Sequence, residues 1–193
     1  MKNLAIALLV SLFTIQLSAQ DISNSQMVNH SPKHFYADLV SKAATLNGSW
    51  GLFGSVRAGY NINDNVSLGL IAHGLIPNKL EKSYINRDDR DVMHLGYGGV
   101  EASYKYDLSD RFYLAGIMMI GAGRVDYENL GGNDYFFIAE PGVSVNYRVI
   151  DWFGLGYSVN YRFASGVKYA DFSNASFSGW ATTLDFKFNF DLY

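Results

Sequence analysis

The chain has 193 residues, of which 49% are hydrophobic, 16% aromatic and 17% charged, and its formal net charge is −3. This length suffices for one domain with its own core, and the lack of a long basic run argues against a nucleic-acid partner. A mean hydropathy near zero argues against a bundle of membrane-spanning helices, and the absence of cysteine excludes disulfides and thiolate metal sites.

Residues 1–19 have the features of an export signal peptide. Lys2 supplies a positive charge, an apolar run follows, and Ala19 is a small residue at the expected cleavage point. The apolar run is shorter than the roughly 20 residues of a membrane-spanning helix. We therefore expect cleavage after Ala19, with a polar lead-in over residues 20–33 and the folded domain over residues 34–193. A buried or interfacial helix is the alternative interpretation of the apolar run.

From residue 34 onward, large apolar and polar residues alternate with the period of two that is typical of strands. Their lengths match, with some excess, the roughly 9–11 residues that a tilted strand needs to cross a bilayer. The pattern predicts about eight strands, near residues 34–45, 49–61, 66–76, 92–106, 111–123, 135–148, 152–163 and 177–192.

The connections between these segments alternate in length. The tight turns fall at 61–65, 107–110 and 149–151, and a short connection near residues 46–48 belongs to the opposite end. Short turns at one end and long loops at the other are typical of bacterial outer-membrane barrels. The longer, charged and glycine-containing loops span 77–90, 124–134 and 164–175.

Charged residues keep to one face of each predicted strand. The odd positions of 135–148 are apolar, whereas its even positions include Glu140 and Arg148. The odd positions of 152–163 are likewise apolar, and Arg162 lies on the even face. No predicted strand has a charge in the middle of its apolar face. Contact with lipid requires this pattern, because Lys or Arg at the bilayer midplane costs about 2–4 kcal/mol.

The polar faces therefore predict a charged barrel lumen. The interior of a barrel with about eight strands is just filled by side chains, so we expect a plug of ion pairs and hydrogen bonds. A narrow gated pore and a small polar binding site are the functional alternatives. The predicted lumenal ion-pair network comprises Asp38, Lys42, Arg57, Glu101, Lys105, Glu140, Arg148, Arg162, Asp185 and Lys187.

Two segments fit the pattern less simply. Both faces of 111–123 are apolar or small, so its lipid side is not assigned. Pro141 lies within a predicted strand and lacks a backbone donor, which predicts a β-bulge around Glu140, Pro141 and Gly142. Glu140 is the only acid in the middle of its strand, and we expect Arg57 or Arg162 to be its partner.

Aromatic residues gather toward the strand ends and predict two interfacial girdles. The girdle residues are Tyr60, Tyr104, Tyr106, Tyr135, Tyr147, Trp152, Tyr161, Trp180 and Tyr193.

The final segment, "LDFKFNFDLY", alternates between large apolar and polar residues up to the last position of the sequence.

With the signal peptide, the turn and loop alternation and this final segment, residues 34–193 resemble the small eight-stranded outer-membrane barrels of the OmpA/OmpX type. The resemblance implies an all-β, antiparallel, up-and-down transmembrane barrel that is complete at the final strand. It also implies that the barrel assembly machinery reads that strand. In the family the terminal aromatic is usually in phase with the outward residues, whereas here Leu192 is in phase and Tyr193 is one step out. The implied insertion signal comprises Phe186, Phe188, Phe190, Leu192 and Tyr193.

These patterns favour a monomer in the outer membrane of a diderm bacterium, with a structural or surface-interaction role. Outer-membrane lipid is the first expected partner, and an extracellular partner would bind the loops at 77–90, 124–134 and 164–175. Nothing in the sequence predicts a cofactor or a metal site. Without a His-x-Ser pair or a GxSxG motif, the histidines His30, His34, His73 and His94 predict no catalytic centre.

Two alternatives stay open at this point. The first is a lumenal function, either a narrow pore or an enzyme that modifies lipid A. The second is a soluble exported barrel of the lipocalin type, in which the apolar face would point inward around an apolar ligand.

Overall fold

The computed structural model describes residues 34–76, 93–127, 133–168 and 172–190. The expected signal peptide, the polar lead-in and two residues of the insertion signal, Leu192 and Tyr193, fall outside these ranges. The predicted strands are confirmed, with boundaries that differ by at most four residues. The elements are β1 (Phe35–Leu46), β2 (Ser49–Asn61), β3 (Val66–Leu75), β4 (Met93–Asp107), β5 (Phe112–Tyr127), β6 (Asn133–Ile150), β7 (Phe153–Ser165), α1 (Asn174–Phe177) and β8 (Gly179–Phe190).

The eight strands form one closed antiparallel barrel in which neighbours in sequence are neighbours in space. Phe35 of β1 pairs with Tyr60 of β2 on one side and with Phe190 of β8 on the other. Closure leaves no strand edge unpaired, so the backbone satisfies its own hydrogen bonds, as a spanning structure in lipid must. None of the helices in the described part of the chain is long and apolar enough to span a membrane.

The alternation along the strands separates an apolar exterior from a charged interior. Leu70 and Val143 are 66% and 67% exposed on the outside, whereas Asp38 and Arg57 are 4% and 6% exposed on the inside. The apolar face therefore points outward. This finding overturns the lipocalin-like alternative, which required the apolar face to line the interior.

Exposed aromatic residues lie near both ends of the barrel exterior. Tyr60, Tyr106 and Trp152 lie at the end with the tight turns, and Tyr135 and Trp180 lie at the opposite end. These rings border a belt of exposed aliphatic residues, as in the interfacial girdles of membrane barrels.

The structure assigns the lipid side of β5, which the sequence left open. Leu114 and Ile120 are exposed, and Ala115, Met119 and Val125 face the interior. Both faces of β5 are apolar in sequence because the barrel interior is itself apolar next to the half of the strand that ends at Tyr127.

The expected bulge at Pro141 is wrong. Pro141 and Glu140 pair in register with β5. Toward β7 the ladder pairs Ala139, leaves out the next two residues and resumes at Gly142 without a shift. The missing donor of Pro141 is therefore accommodated by a local gap in the ladder, and the register shift lies farther along β6, between Arg148 and Ile150.

The connections keep the predicted asymmetry but differ in length. In the turn after β2, the Asn63 side chain accepts hydrogen bonds from the backbone N–H groups of Asn65 (2.9 Å) and Val66 (2.7 Å). The predicted loop at 124–134 is wrong, because β5 and β6 extend through most of it. The loop at 77–90 lies outside the described residues, and the loop at 164–175 leads into α1.

Candidate functional site in the barrel lumen

The lower lumen, toward the tight turns, contains one arginine among three carboxylates. Arg57 approaches Asp38 at 2.9 Å (Nη1 to Oδ2), Glu101 at 2.8 Å (Nε to Oε1) and Asp185 at 3.8 Å (Nη1 to Oδ2). These residues come from four different strands, so the cluster ties distant parts of the barrel wall together. Lys187 is the strand neighbour of Asp38 on the same inward face. With Lys187, this Arg57 cluster holds two cations and three acids.

A second cluster lies above it. Lys42 of β1 forms an ion pair with Glu140 of β6. The Tyr97 hydroxyl donates to Glu140 Oε2 at 3.3 Å, and Arg162 Nη1 donates to the Tyr97 hydroxyl at 3.4 Å. This Lys42 cluster holds two cations and one acid, so the two clusters carry opposite formal charges.

The ion pair corrects the expected partner of Glu140. That partner is Lys42, and neither Arg57 nor Arg162 approaches Glu140 directly. Arg57 is occupied by the three lower carboxylates, and Arg162 reaches Glu140 only through the Tyr97 hydroxyl.

Two residues predicted for the network lie elsewhere. Lys105 pairs with Asp107 at 3.3 Å, and both side chains are partly exposed. Arg148 Nη1 donates to the Asp110 carbonyl at 2.6 Å. Both positions lie on inward faces but next to the tight turns. Their flexible side chains therefore reach the turns and not the lumenal clusters.

Neutral polar groups line the lumen wall formed by β7 and β8. Ser158 and Thr183 share a hydrogen bond of 2.6 Å, and the Thr183 hydroxyl donates to Asp185 Oδ1 at 3.2 Å. Asn160 Nδ2 donates to Ser158 Oγ at 3.1 Å. All four side chains are buried. Hydrogen bonds among these groups lower the cost of burying them, although the Asn160 amide oxygen has no partner among the described residues.

A serine and histidine pair that the sequence did not reveal lies between the two clusters. Ser55 Oγ and His73 Nδ1 are 2.6 Å apart, and the His73 ring packs 4.5 Å from the Tyr97 ring, centroid to centroid. The two residues are direct neighbours across β2 and β3 and 18 positions apart in sequence, so a search for short motifs cannot find them. Among the described residues, no carboxylate forms an ion pair with His73, and the pair is enclosed.

The loop end of the lumen is apolar, which the sequence analysis also missed. A signal was present, because the inward face that carries Lys42 continues with Ala44 and Leu46, and the face that carries Glu140 begins with Phe136 and Ile138. The buried side chains of this apolar cup include Leu46, Phe53, Leu95, Val125, Phe136 and Ile138.

The short helix α1 closes the cup from above. Phe177 is 2% exposed, and its ring packs 5.1 Å from that of Phe136, between centroids. The Asn47 backbone N–H donates to the Ser176 carbonyl at 2.7 Å. This contact attaches the helix to the turn between β1 and β2, and Arg162 Nε donates to the Phe177 carbonyl at 2.6 Å from below.

Within the described ranges, no group of three or more His, Asp or Glu side chains could hold a metal ion. The lumen thus contains two charge clusters, a polar wall and a capped apolar cup.

Comparisons with known proteins bear on the fold. No protein-family model matches the sequence. No curated protein sequence matches it either. Among solved structures, the N-terminal barrel domain of Pseudomonas aeruginosa OprF aligns with a TM-score of 0.58 and 16% identity, over 83% of this chain and all of that domain. Neisserial surface protein A aligns with a TM-score of 0.51 and 19% identity, over 81% of this chain and 96% of that one. Ail of Yersinia pestis aligns with a TM-score of 0.50 and 11% identity, over 81% and 95%.

The fold is that of the small eight-stranded outer-membrane barrels. These similarities extend to the closed barrel and its strand order. The exterior adds a physical argument, because a closed barrel with an apolar belt between aromatic residues satisfies the requirements of a bilayer. The chain therefore has the fold of an outer-membrane barrel and an exterior suited to lipid.

Proposed function

We propose that this protein is a closed, monomeric outer-membrane barrel with a structural or surface-interaction role. The observation that carries this proposal is the filled lumen. Lys42 and Phe53 are each 1% exposed, and Asp185 is fully buried. Conduction needs a continuous aqueous path, and side chains with so little access to water argue against one. Eight-stranded barrels generally have an interior just wide enough for side chains.

A catalytic role is less well supported. Ser55 and His73 have the distance of a nucleophile and its base, but a hydrolase also needs an orienting group and access for the substrate. The pair lies inside the barrel, between the two charge clusters. An enzyme acting on outer-membrane lipid would need its reactive groups on the exterior or at a mouth.

The loop at 77–90 is the best candidate for contact with an extracellular partner. In sequence it carries four cations and three acids, in contrast to the apolar barrel exterior. A structure of Ail is described in complex with the heparin analogue sucrose octasulfate. Because Ail and the present chain have similar folds, this complex supports the use of a polyanion as a probe for the present chain.

Export and assembly complete the proposal. The signal peptide over residues 1–19 would be removed, and the barrel assembly machinery would recognise the final strand. In β8, Phe186 and Phe190 are exposed on the lipid face. Their position is compatible with the insertion signal that the sequence predicts.

The closed lumen is tested by planar-bilayer recordings of the purified protein, in which we expect no stable open-channel current. The surface role is tested by replacing residues 78–90 with Asn-Gly and measuring adhesion of producing cells to heparin-coated surfaces. Uncoated surfaces serve as the control, and folding of the variant is checked by heat-modifiable mobility on gels. Regular conductance steps would contradict the closed lumen. Adhesion that survives the loop replacement would contradict the assignment to this loop.

A further inference from the structure

Arg162 is an enclosed cation whose hydrogen bonds go to neutral groups. It is 1% exposed. Its Nε donates to the Phe177 carbonyl at 2.6 Å, and its Nη2 donates to the Thr45 carbonyl at 2.7 Å. Of the carboxylates in the described ranges, none lies within ion-pair distance of Arg162. A buried charge without a partner of opposite sign is costly, so this position favours a negative group.

The side chains around Arg162 hold its guanidinium in one orientation. Its central carbon lies 5.3 Å from the Tyr97 ring centroid and 5.8 Å from that of Phe53. Contacts of this kind attract the cation and restrict its plane. The edge that carries Nε points toward α1, where it meets the Phe177 carbonyl. An N–H group of a guanidinium held in one orientation forms a strong, charge-assisted hydrogen bond with a carboxylate oxygen.

Phe177 presents an oxygen and an apolar group to the upper lumen together. The carbonyl accepts from Arg162, while the ring occupies the apolar cup against Phe136 and Phe172, at 5.1 and 5.3 Å between centroids. This residue comes from a helix of four residues in a connection and not from the barrel wall. The plug of the cup is therefore carried by a connection, whereas Arg162 and the cup belong to strands.

We propose that the apolar cup and Arg162 form a binding site for an aliphatic carboxylate, which Phe177 occupies in the closed state. The carboxylate takes the Nε donor now bonded to the Phe177 carbonyl. The alkyl chain replaces the Phe177 ring among Val125, Phe136 and Ile138. One negative charge also balances the Lys42 cluster, in which, among the described residues, Glu140 is the single acid for two cations.

Displacement of Phe177 sets the strength of binding. The apparent affinity for a ligand is reduced by the fraction of molecules in which the site is open. Replacement of Phe177 by Ala removes the ring but keeps the backbone carbonyl, so it weakens the internal competitor. Burial of the Phe177 ring stabilises the closed state, so we expect Phe177→Ala to lower the half-saturating ligand concentration by at least about tenfold.

The test uses methyl-labelled protein in lipid nanodiscs, titrated with decanoate and, separately, with decanol. Both probes enter the lipid, so the position of the responding methyl group shows whether a probe has bound in the lumen or has only dissolved in the lipid. Val125 and Ile138 face the lumen and are fully buried, whereas Leu70 and Val143 face the lipid. We expect decanoate to shift the two lumenal methyl signals saturably and decanol to do so at least about tenfold more weakly, because only the anion pairs with Arg162.

Variants assign the effect to the two parts of the site. In the Phe177→Ala background, Arg162→Gln should abolish the preference for decanoate, and Arg162→Lys should retain part of it. If Arg162→Gln does not fold, the half-saturating concentrations of decanoate and decanol for wild type and Phe177→Ala still test the proposal. The proposal fails if only Leu70 and Val143 respond, if both probes act on Ile138 at equal concentrations, or if Phe177→Ala leaves the half-saturating concentration unchanged.

Discussion

Glu140 on β6 and Lys42 on β1 form an ion pair across the lumen, although 98 positions separate them in the chain. The two side chains are 4% and 1% exposed. Removal of one charge from a buried pair is costly because it leaves the other uncompensated, typically by about 3–5 kcal/mol. We therefore expect Glu140→Gln to lower the free energy of unfolding in lipid vesicles by an amount near this range. Urea titration followed by heat-modifiable mobility measures it.

Lys105→Gln is the matched control for this prediction. Its partner Asp107 lies on the same strand, and both side chains are partly exposed, so the loss should be about 0–1 kcal/mol. Combining Lys42→Met with Glu140→Gln removes both charges and should recover part of the lost stability. Equal unfolding midpoints for wild type and Glu140→Gln would show that water, and not Lys42, satisfies this carboxylate.

The backbones of β4 and β5 approach each other closely at two glycines. A Cβ at Gly121 would overlap the Gly98 carbonyl oxygen, and one at Gly99 would overlap the Ile120 carbonyl oxygen. At Gly116, on the same strand, nothing lies within 4 Å of the corresponding position. We expect Gly121→Ala to destabilise the barrel by about 1–3 kcal/mol or to block folding, because the strands must separate.

Gly116→Ala provides the control in the same strand and should change the unfolding free energy by no more than about 0.5 kcal/mol. Both variants are compared by reversible unfolding in vesicles. If the two substitutions prove equally mild, the strands separate more easily than the close approach of Gly98 and Gly121 implies.

The lipid face is tested by placing a charge at different depths. Val143 is 67% exposed near the middle of β6, whereas Ile62 is 58% exposed in a tight turn. Val143→Arg should cost about 2–4 kcal/mol, since it places arginine near the bilayer midplane, and Ile62→Arg should cost about 0–1 kcal/mol near the interface. Unfolding in vesicles and insertion yield measure both. A larger loss for Ile62→Arg would reverse the depth assignment.

The sequence predicted the barrel because lipid imposes a rule that each strand must obey by itself. The alternation that placed Arg57 and Glu101 inside and Val143 outside is local, and the structure follows it. The pairing of charges depends on which strands face each other across the lumen and how far each is staggered. The sequence therefore predicts the wrong cation for Glu140, since the register that brings Lys42 to it is a property of the closed barrel.

The apolar cup escaped prediction for a different reason. Its members lie on the same faces as Lys42 and Glu140, where the rule for a polar lumen leads one to expect polar residues. Above the charge clusters the barrel wall encloses Phe177, and the interior there is packed like the core of a soluble protein. The rule describes the middle of the lumen, and the capped end departs from it.

Protease accessibility tests the orientation of the barrel in the membrane. The loop at 77–90 contains Lys79, Lys82, Arg87 and Arg90, all of which trypsin can cut, and the turn at the other end contains the exposed Arg111. Long loops of outer-membrane barrels face the exterior and short turns face the periplasm. Trypsin added to intact cells should therefore cleave within 77–90.

Arg111 supplies the control, because it should be cut only after the outer membrane is permeabilised. Fragments are identified by mass, so cleavage at the two ends of the barrel is distinguished in one digest. Cleavage at Arg111 in intact cells, together with protection of 77–90, would place the tight turns outside. The loop proposed as the surface contact would then face the periplasm, and the heparin adhesion assay would lose its basis even though the fold would stand.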